Sequence, residues 1–301
     1  MPTIAEAITE GTRLLREANV DEDRRAASVL LGCVLSMDRA QLIIRSKDEI
    51  ERSRFEEFLG FIRRRAAGEP LQHITGHQEF FGLDFTVNRD VLIPRPETEF
   101  LVERVMAFSR NTPAPLIADI GTGSGCIAVA LAVNIADARI IATDISPSAI
   151  EVARANARRH GVEARIEFLT GDLLAPLAGR EGAIDILASN PPYVPTSRPD
   201  MVQREVRDWE PGVALFGGEE GIDFYRRLLD ESLPFVKTGG WLVCEIGYSQ
   251  LEAVRKMIDP RAWSLIEVTE DLQGIARTLT IKKVSRMQSA ECGMRNKEGL
   301  P

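Results

Sequence analysis

Cationic residues, histidines and long apolar runs are all in short supply in this 301-residue chain, and each shortage removes a class of function. The 37 Lys and Arg are outnumbered by 45 Asp and Glu, a net charge of -8, so the surface as a whole repels a phosphate backbone. Twelve basic and 13 acidic residues fall before residue 76, leaving 25 against 32 beyond it. Nearly all of the excess negative charge therefore lies in the longer part, and sustained direct binding to nucleic acid is not expected. The three His and four Cys make neither a metal site nor a disulfide framework: Cys33, Cys126, Cys244 and Cys292 lie far apart with no CxxC pair. His73 and His77 are spaced i, i+4, but Gly76 interrupts them and no carboxylate set accompanies them. No stretch approaches the roughly 18 uninterrupted apolar residues of a membrane span. The first twenty residues interleave apolar positions with Glu and Arg instead of forming a signal peptide's apolar core. The expectation is a cytoplasmic chain with reduced thiols and no membrane association. Its 44% hydrophobic content suffices for two modest domains.

The pattern along the chain changes near residue 75. Before it the reading is helical. Thr3 and Glu6 have capping-box spacing ahead of Ile4, Ile8 and Leu15, and Asp21 is placed to cap a second helix carrying Ala26, Val29, Leu30 and Val34. Phe55, Phe58, Leu59, Ile62 and Ala66 share one face of a third, with Arg63, Arg64 and Arg65 mainly on the other, until Gly68 and Pro70 end it. Residues 76–96 read as a hairpin linker, with short β-like runs around Glu79–Phe81 and Asp84–Val87 separated by Gly82. From 97 to 284 apolar β runs alternate with helical stretches, which predicts an α/β domain with a parallel sheet covered on both faces. The last two runs, Trp263–Val268 and Thr278–Val284, have no helix between them and are expected to pair antiparallel at one edge. The tail 285–301 lacks periodicity and is expected to be loose.

Chemistry concentrates at the ends of the β runs. Asp119-Ile120-Gly121-Thr122-Gly123-Ser124-Gly125 stands where the first strand turns into its helix, a place where glycines admit a ligand close to the backbone. A dinucleotide fingerprint reads GxGxxG, but here Cys126 occupies the sixth position, which argues against an NAD-dependent oxidoreductase. A GxGxG loop preceded by an acid looks instead like the nucleoside-binding loop of S-adenosylmethionine-dependent methyltransferases. Asp144 ends the second run and can accept the ribose hydroxyl hydrogens, although an Asp there also commonly caps a helix, as Ser146-Pro147 invite. Asp172, after the third run, can accept from an adenine amino group with Leu173 lying on the ring. Ser189-Asn190-Pro191-Pro192-Tyr193 ends the fourth run. Two prolines stiffen that backbone and remove two donors, so the side-chain carbonyl of Asn190 and the carbonyl of Pro191 can both accept from one planar NH2 group. Holding both hydrogens orients a poor amide nucleophile and returns electron density to its nitrogen, while Tyr193 is expected to pack on the substrate's flat group. Glu245, ending the fifth run, points near the same crevice, and a structural salt bridge or cap is the commoner role for such a residue.

Asn190-Pro191-Pro192-Tyr193, the Asp119–Gly125 loop, Gly68-Glu69-Pro70-Leu71-Gln72-His73-Ile74-Thr75-Gly76 and Leu92-Ile93-Pro94-Arg95-Pro96-Glu97-Thr98-Glu99 together resemble the HemK/PrmC family of release factor glutamine N(5)-methyltransferases. Segments similar to the family run from about residue 4 to 283. The resemblance implies a Rossmann-like class I methyltransferase sheet with a small N-terminal helical domain (1–75) that docks class I release factors. It implies S-adenosylmethionine contacts at Asp119, Gly121, Thr122, Gly123, Ser124, Gly125, Asp144, Asp172, Leu173 and Asn190. It also implies that a glutamine in a Gly-Gly-Gln loop is held by Asn190, Pro191, Pro192 and Tyr193, of which Asn190, Pro191 and Tyr193 carry the reaction. The same motifs occur in family members that methylate a ribosomal protein, and Asn-Pro-Pro-Tyr also occurs in adenine-N6 DNA methyltransferases. Charge disfavours only the DNA reading.

Overall fold

The computed structural model describes residues 1–284; the tail 285–301, expected above to be loose, lies outside the described residues. Two compact units result. The first is Met1–His77 together with Gln203–Trp209, and the second is Gln78–Val202 with the chain from Glu210 onward.

In the first unit, helices Ile4–Glu17, Asp23–Leu35, Arg39–Ile44, Arg52–Ala66 and Leu71–Thr75 enclose a core of Ile4, Leu15, Leu30, Leu31, Phe58 and Ile62. The Thr3–Glu6 capping box forms in both directions. Asp21 does not cap the second helix: Glu22 takes that position with a left-handed backbone and no side-chain capping bond to the helix N–H groups. Asp38 forms a box with Gln41 instead, starting a helix of six residues whose pattern is too short to show a period. The Arg63–Arg65 run is not a free basic face. Arg64 makes two bonds to buried Glu69, and Arg65 is largely buried and paired with Glu205 of the 203–209 segment.

The second unit begins with the hairpin, strands β1 (His77–Phe80, whose first residue closes the first unit) and β2 (Leu83–Thr86). The hairpin is part of this unit's core and not a bare connector, because alternation buries Phe80 and Phe85 among Leu101, Val105 and Val129. Its turn is fixed by the Phe81 N–H donating to Glu99 Oε1 at 2.8 Å. The sheet strands follow as β3 (Leu116–Ile120), β4 (Arg139–Asp144), β5 (Ile166–Thr170), β6 (Ile184–Ser189), β7 (Val236–Glu245), β8 (Trp263–Glu270) and β9 (Ala276–Lys283), in the order β5-β4-β3-β6-β7-β9-β8. The first five positions are parallel, and β9 runs antiparallel to both β7 and β8, so the closing pair forms as expected with its later strand on the inside. Alternation assigns the faces. Ile117, Ile140, Ala142, Ile186 and Ala188 pack under helices 99–109, 126–134 and 147–159, while Ala118, Ile120, Ile141, Leu187 and Leu242 pack with helix 223–231 on the other side.

Because β3 has β4 on one side and β6 on the other, the connections leaving their carboxyl ends diverge. That leaves a crevice at this reversal of strand order. Among the described residues, no helix is long and apolar enough to cross a membrane.

Candidate active site

The register fixes what meets in that crevice. Ile120 is paired with Thr143 on one side and Ser189 on the other, so the residues that follow, Gly121, Asp144 and Asn190, emerge side by side. The Ser189 hydroxyl donates to the Ile120 carbonyl at 2.7 Å and locks those two strand ends. An open cleft results, with Gly121, Gly123, Asp144, Leu173, Asn190 and Pro191 among its walls.

The glycine loop is held largely by backbone. The N–H groups of Gly121 and Thr122 both donate to the Thr143 carbonyl, and the Gly123 N–H donates to Asp144 Oδ2 at 2.8 Å. No atom stands within 4 Å of where a side chain on Gly121 or Gly123 would begin, so their bare faces open onto free space. Gly125 differs: a Cβ there would press on Ala153, and its φ of +79° lies in the left-handed region. Glycine is required at that point for the helix beginning at Cys126 to lie against helix 147–159.

Asp119 does not line the cleft. Its side chain is wholly buried beneath the loop, where Oδ2 accepts from the Thr122 hydroxyl at 2.6 Å and from the Ala128 N–H at 3.2 Å. Burial pushes its pKa up to about 7. Asp119 is thus a brace for the loop, and Thr122, Ser124 and Gly125 likewise sit behind the cleft wall formed by Gly121 and Gly123.

Asp144 reaches the cleft with Oδ1 on the Ser146 N–H and Oδ2 on the Gly123 N–H, which leaves each oxygen a further lone pair. Burial raises its pKa against the pull of those N–H groups. Ser146 caps the helix starting at Pro147, so capping and ligand-facing roles fall to adjacent residues. Asp172 and Leu173 also line the cleft. Leu173 holds a φ of +48°, an uncommon conformation for a branched side chain, which is a form of strain found at ligand sites. The Asp172 carboxylate carries a two-pronged ion pair with Arg227.

Asn190, Pro191 and Pro192 line the cleft, but Tyr193 does not. Its ring packs against Gly247, and its hydroxyl meets the buried Glu245 carboxylate; burial raises the phenol's pKa. Tyr193 is half-buried and packs on the Gly247 and Glu245 side of the motif. The backbone of the motif is held closely. A Cβ on Gly221 would collide with the Tyr193 carbonyl, and one on Gly217 with the Pro192 carbonyl. Gln250 Nε2 donates to the carbonyls of Tyr193 and Gly221.

Other residues that shape the site come from parts of the chain far from the two motifs. Asn190 Nδ2 donates to Thr98 Oγ1 at 3.1 Å, and Thr98 Oγ1 donates to Glu245 Oε2 at 2.6 Å. Glu210, buried, accepts from the Ile93 N–H and the Arg95 guanidinium and so fixes the segment that follows Asp90, Val91 and Leu92 in the cleft wall. Asn156 joins both ends of Thr86 to the Ser124 carbonyl, linking the hairpin to the glycine loop. Two of these had signals beforehand: Thr98 lies in the Leu92–Glu99 stretch of the family resemblance, and Glu245 stands at the end of the fifth β run, near the crevice. Among the described residues no His, Cys, Asp or Glu cluster is arranged to hold a metal ion.

Comparison with known proteins places these features in context. Residues 6–76 match the PrmC N-terminal domain and residues 96–207 the methyltransferase small domain. The release factor glutamine methyltransferase of Koribacter versatilis is 42% identical over 93% of this chain and 99% of its own length. That of Moorella thermoacetica is 45% identical over 85% of this chain and 89% of its own. A solved methyltransferase from Pyrococcus furiosus, 18% identical, aligns over 68% of this chain and 91% of that one with a TM-score of 0.51, a likeness of fold alone.

Proposed function

This chain belongs to the release factor glutamine methyltransferase family, and from that membership we propose how its cleft divides binding from chemistry. It is an S-adenosylmethionine-dependent enzyme that methylates the side-chain amide nitrogen of a release factor glutamine. When bound, S-adenosylmethionine supplies a methyl group made electrophilic by its sulfonium. The residues present fit it: bare glycine faces, a carboxylate with spare lone pairs and a strained leucine line one cleft. Gly121 and Gly123 would take the backbone-facing side, Asp144 the ribose hydroxyls, and Asp172 with Leu173 the adenine.

Asn190 and Pro191 do the orienting. A glutamine amide is a weak nucleophile because its lone pair is shared with the carbonyl. With Asn190 Oδ1 and the Pro191 carbonyl each accepting one N–H, the nitrogen is fixed in place and gains electron density, so no strong base need stand beside it. The observation that carries this reading is the pairing of Ile120 with Ser189, which sets Gly121 and Asn190 on neighbouring strand ends of a single cleft.

The substrate is a class I release factor with its glutamine in a Gly-Gly-Gln loop, and the helical unit docks the body of that factor. A short loop offers little surface for discrimination, so a second contact is needed. The matched PrmC N-terminal domain and the exposed Val29, Ile43 and Ile44 support this role, which the paired Arg64 and Arg65 cannot fill as free charges. The test is parallel incubation of labelled S-adenosylmethionine with a purified release factor, a ribosomal protein and duplex DNA. Label is expected on the release factor. Faster transfer to the ribosomal protein would overturn the substrate assignment.

A further inference from the structure

Asn190 can serve as an acceptor only if the oxygen of its amide, and not the nitrogen, faces the substrate, and something must choose between those two orientations. The contacts behind it make that choice. Thr98 and Glu245 are both buried, and Thr98 Oγ1 stands between the Asn190 amide and the Glu245 carboxylate, 3.1 Å from Nδ2 and 2.6 Å from Oε2. An ionised carboxylate only accepts, so the one hydroxyl proton of Thr98 must point to Glu245. Thr98 then has only lone pairs left for Asn190, and only Nδ2 can satisfy them. The opposite end of the amide, Oδ1, is left for the cleft that Asn190 lines.

We propose that Glu245 and Thr98 are positioning residues that set the polarity of the Asn190 amide, the carboxylate acting on the reaction through one hydroxyl. The inference rests on the reading of Asn190 as the acceptor of the substrate amide. It has a directional consequence. A protonated Glu245 can donate to Thr98, whose hydroxyl is then free to donate to Asn190 Oδ1; the amide turns over and presents two donors to a substrate that also offers donors. Protonation therefore switches the site off. Among the described residues, the charged and titratable groups facing Glu245 are Glu97, Arg277, Tyr193, Tyr225, Cys126 and Cys244. Arg277 is drawn away by Asp271 at 2.7 Å and by Glu97, so burial dominates and lifts the Glu245 pKa to about 7.

The experiment uses the full chain with a Gly-Gly-Gln peptide, which removes any titration of the release factor body. Thr98→Val should lower kcat by about tenfold or more, the scale of one lost polar contact in the reacting state, with the Kd for S-adenosylmethionine unchanged. Thr98→Ser, which restores the hydroxyl, should recover most of the loss. In wild type, kcat should fall on the acid side of about pH 7, and Glu245→Gln, which cannot be switched by a proton there, should remove that limb. In an Asn190→Ala background, Thr98→Val should have no further effect. Wild-type kcat in Thr98→Val, equal loss in the Ser and Val variants, or an acid limb that persists in Glu245→Gln would each overturn the proposal. Near-normal turnover in Asn190→Ala alone would instead overturn the underlying assignment of Asn190. If Glu245→Gln does not fold, the Thr98 pair and its combination with Asn190→Ala still decide the matter.

Discussion

The Gly121–Gly125 loop and the Asn190–Tyr193 segment leave adjacent strands, yet they are supported in different ways. The loop is tied by N–H groups to the neighbouring strand's carbonyl, with Asp119 and Asp144 as local braces at most a strand away. The second segment has two donors replaced by proline and depends on side chains brought from elsewhere: Thr98 and Glu245 for its asparagine, Gln250 and the bare faces of Gly217 and Gly221 for its backbone. A site that must only bind can rest on redundant backbone contacts. A group that must present one particular atom to a reacting nitrogen needs side chains that distinguish its two ends.

Each of the following substitutions separates the two halves. Asn190→Ala should have the largest effect, lowering kcat by about a hundredfold or more, the range for a lost preorganised polar contact, while calorimetry finds S-adenosylmethionine bound as before. A parallel loss of cofactor affinity would mean that the two halves are not separable. Gly221→Ala comes next, since its Cβ would displace the Tyr193 carbonyl at a position whose φ is +75°. It should reduce kcat by about tenfold through a strain of roughly 1–2 kcal/mol, and unchanged turnover would show that the motif's backbone position is not critical. Asp144→Ala should act on the other half alone, raising the cofactor Kd by about tenfold, a loss of ~1.4 kcal/mol. Turnover at saturating cofactor should stay close to wild type.

The helical unit supplies a fourth test. Ile43→Ser combined with Ile44→Ser should raise KM for an intact release factor severalfold and leave a Gly-Gly-Gln peptide unaffected; equal effects on both substrates would remove its docking role. The smallest effect expected is on stability. Glu245 titrates near 7 in the fold against an ordinary 4.5. The fold therefore holds its proton more tightly than the unfolded chain does, and the stability this brings is complete below the ordinary range and lost as pH rises through about 7. In thermal melts Glu245→Gln should show a shallower decline across that window than wild type.

The same contrast explains what could be read in advance. The alternation of strands and helices, the closing antiparallel pair, the Thr3 and Ser146 caps, the glycine loop and Asn190–Tyr193 all have signals confined to a few consecutive residues. Thr98 lies 92 residues from the asparagine it touches and Glu245 lies 147 from Thr98, so no local spacing could join them. Asp119 and Tyr193 show what a motif leaves open, namely which side of the backbone a side chain takes: Asp119 is wholly buried beneath its loop, while half-buried Tyr193 packs against Gly247. The Arg63–Arg65 run was legible as charge, while its partners Glu69 and Glu205 emerged only from the fold.

The most direct test of the account locates the transferred methyl group. A class I release factor incubated with this enzyme and labelled S-adenosylmethionine, then digested and sequenced by mass spectrometry, is expected to carry the label on the side-chain amide nitrogen of the Gly-Gly-Gln glutamine, with none after incubation with Asn190→Ala. Label at another residue, or equal labelling by the Asn190→Ala variant, would contradict it.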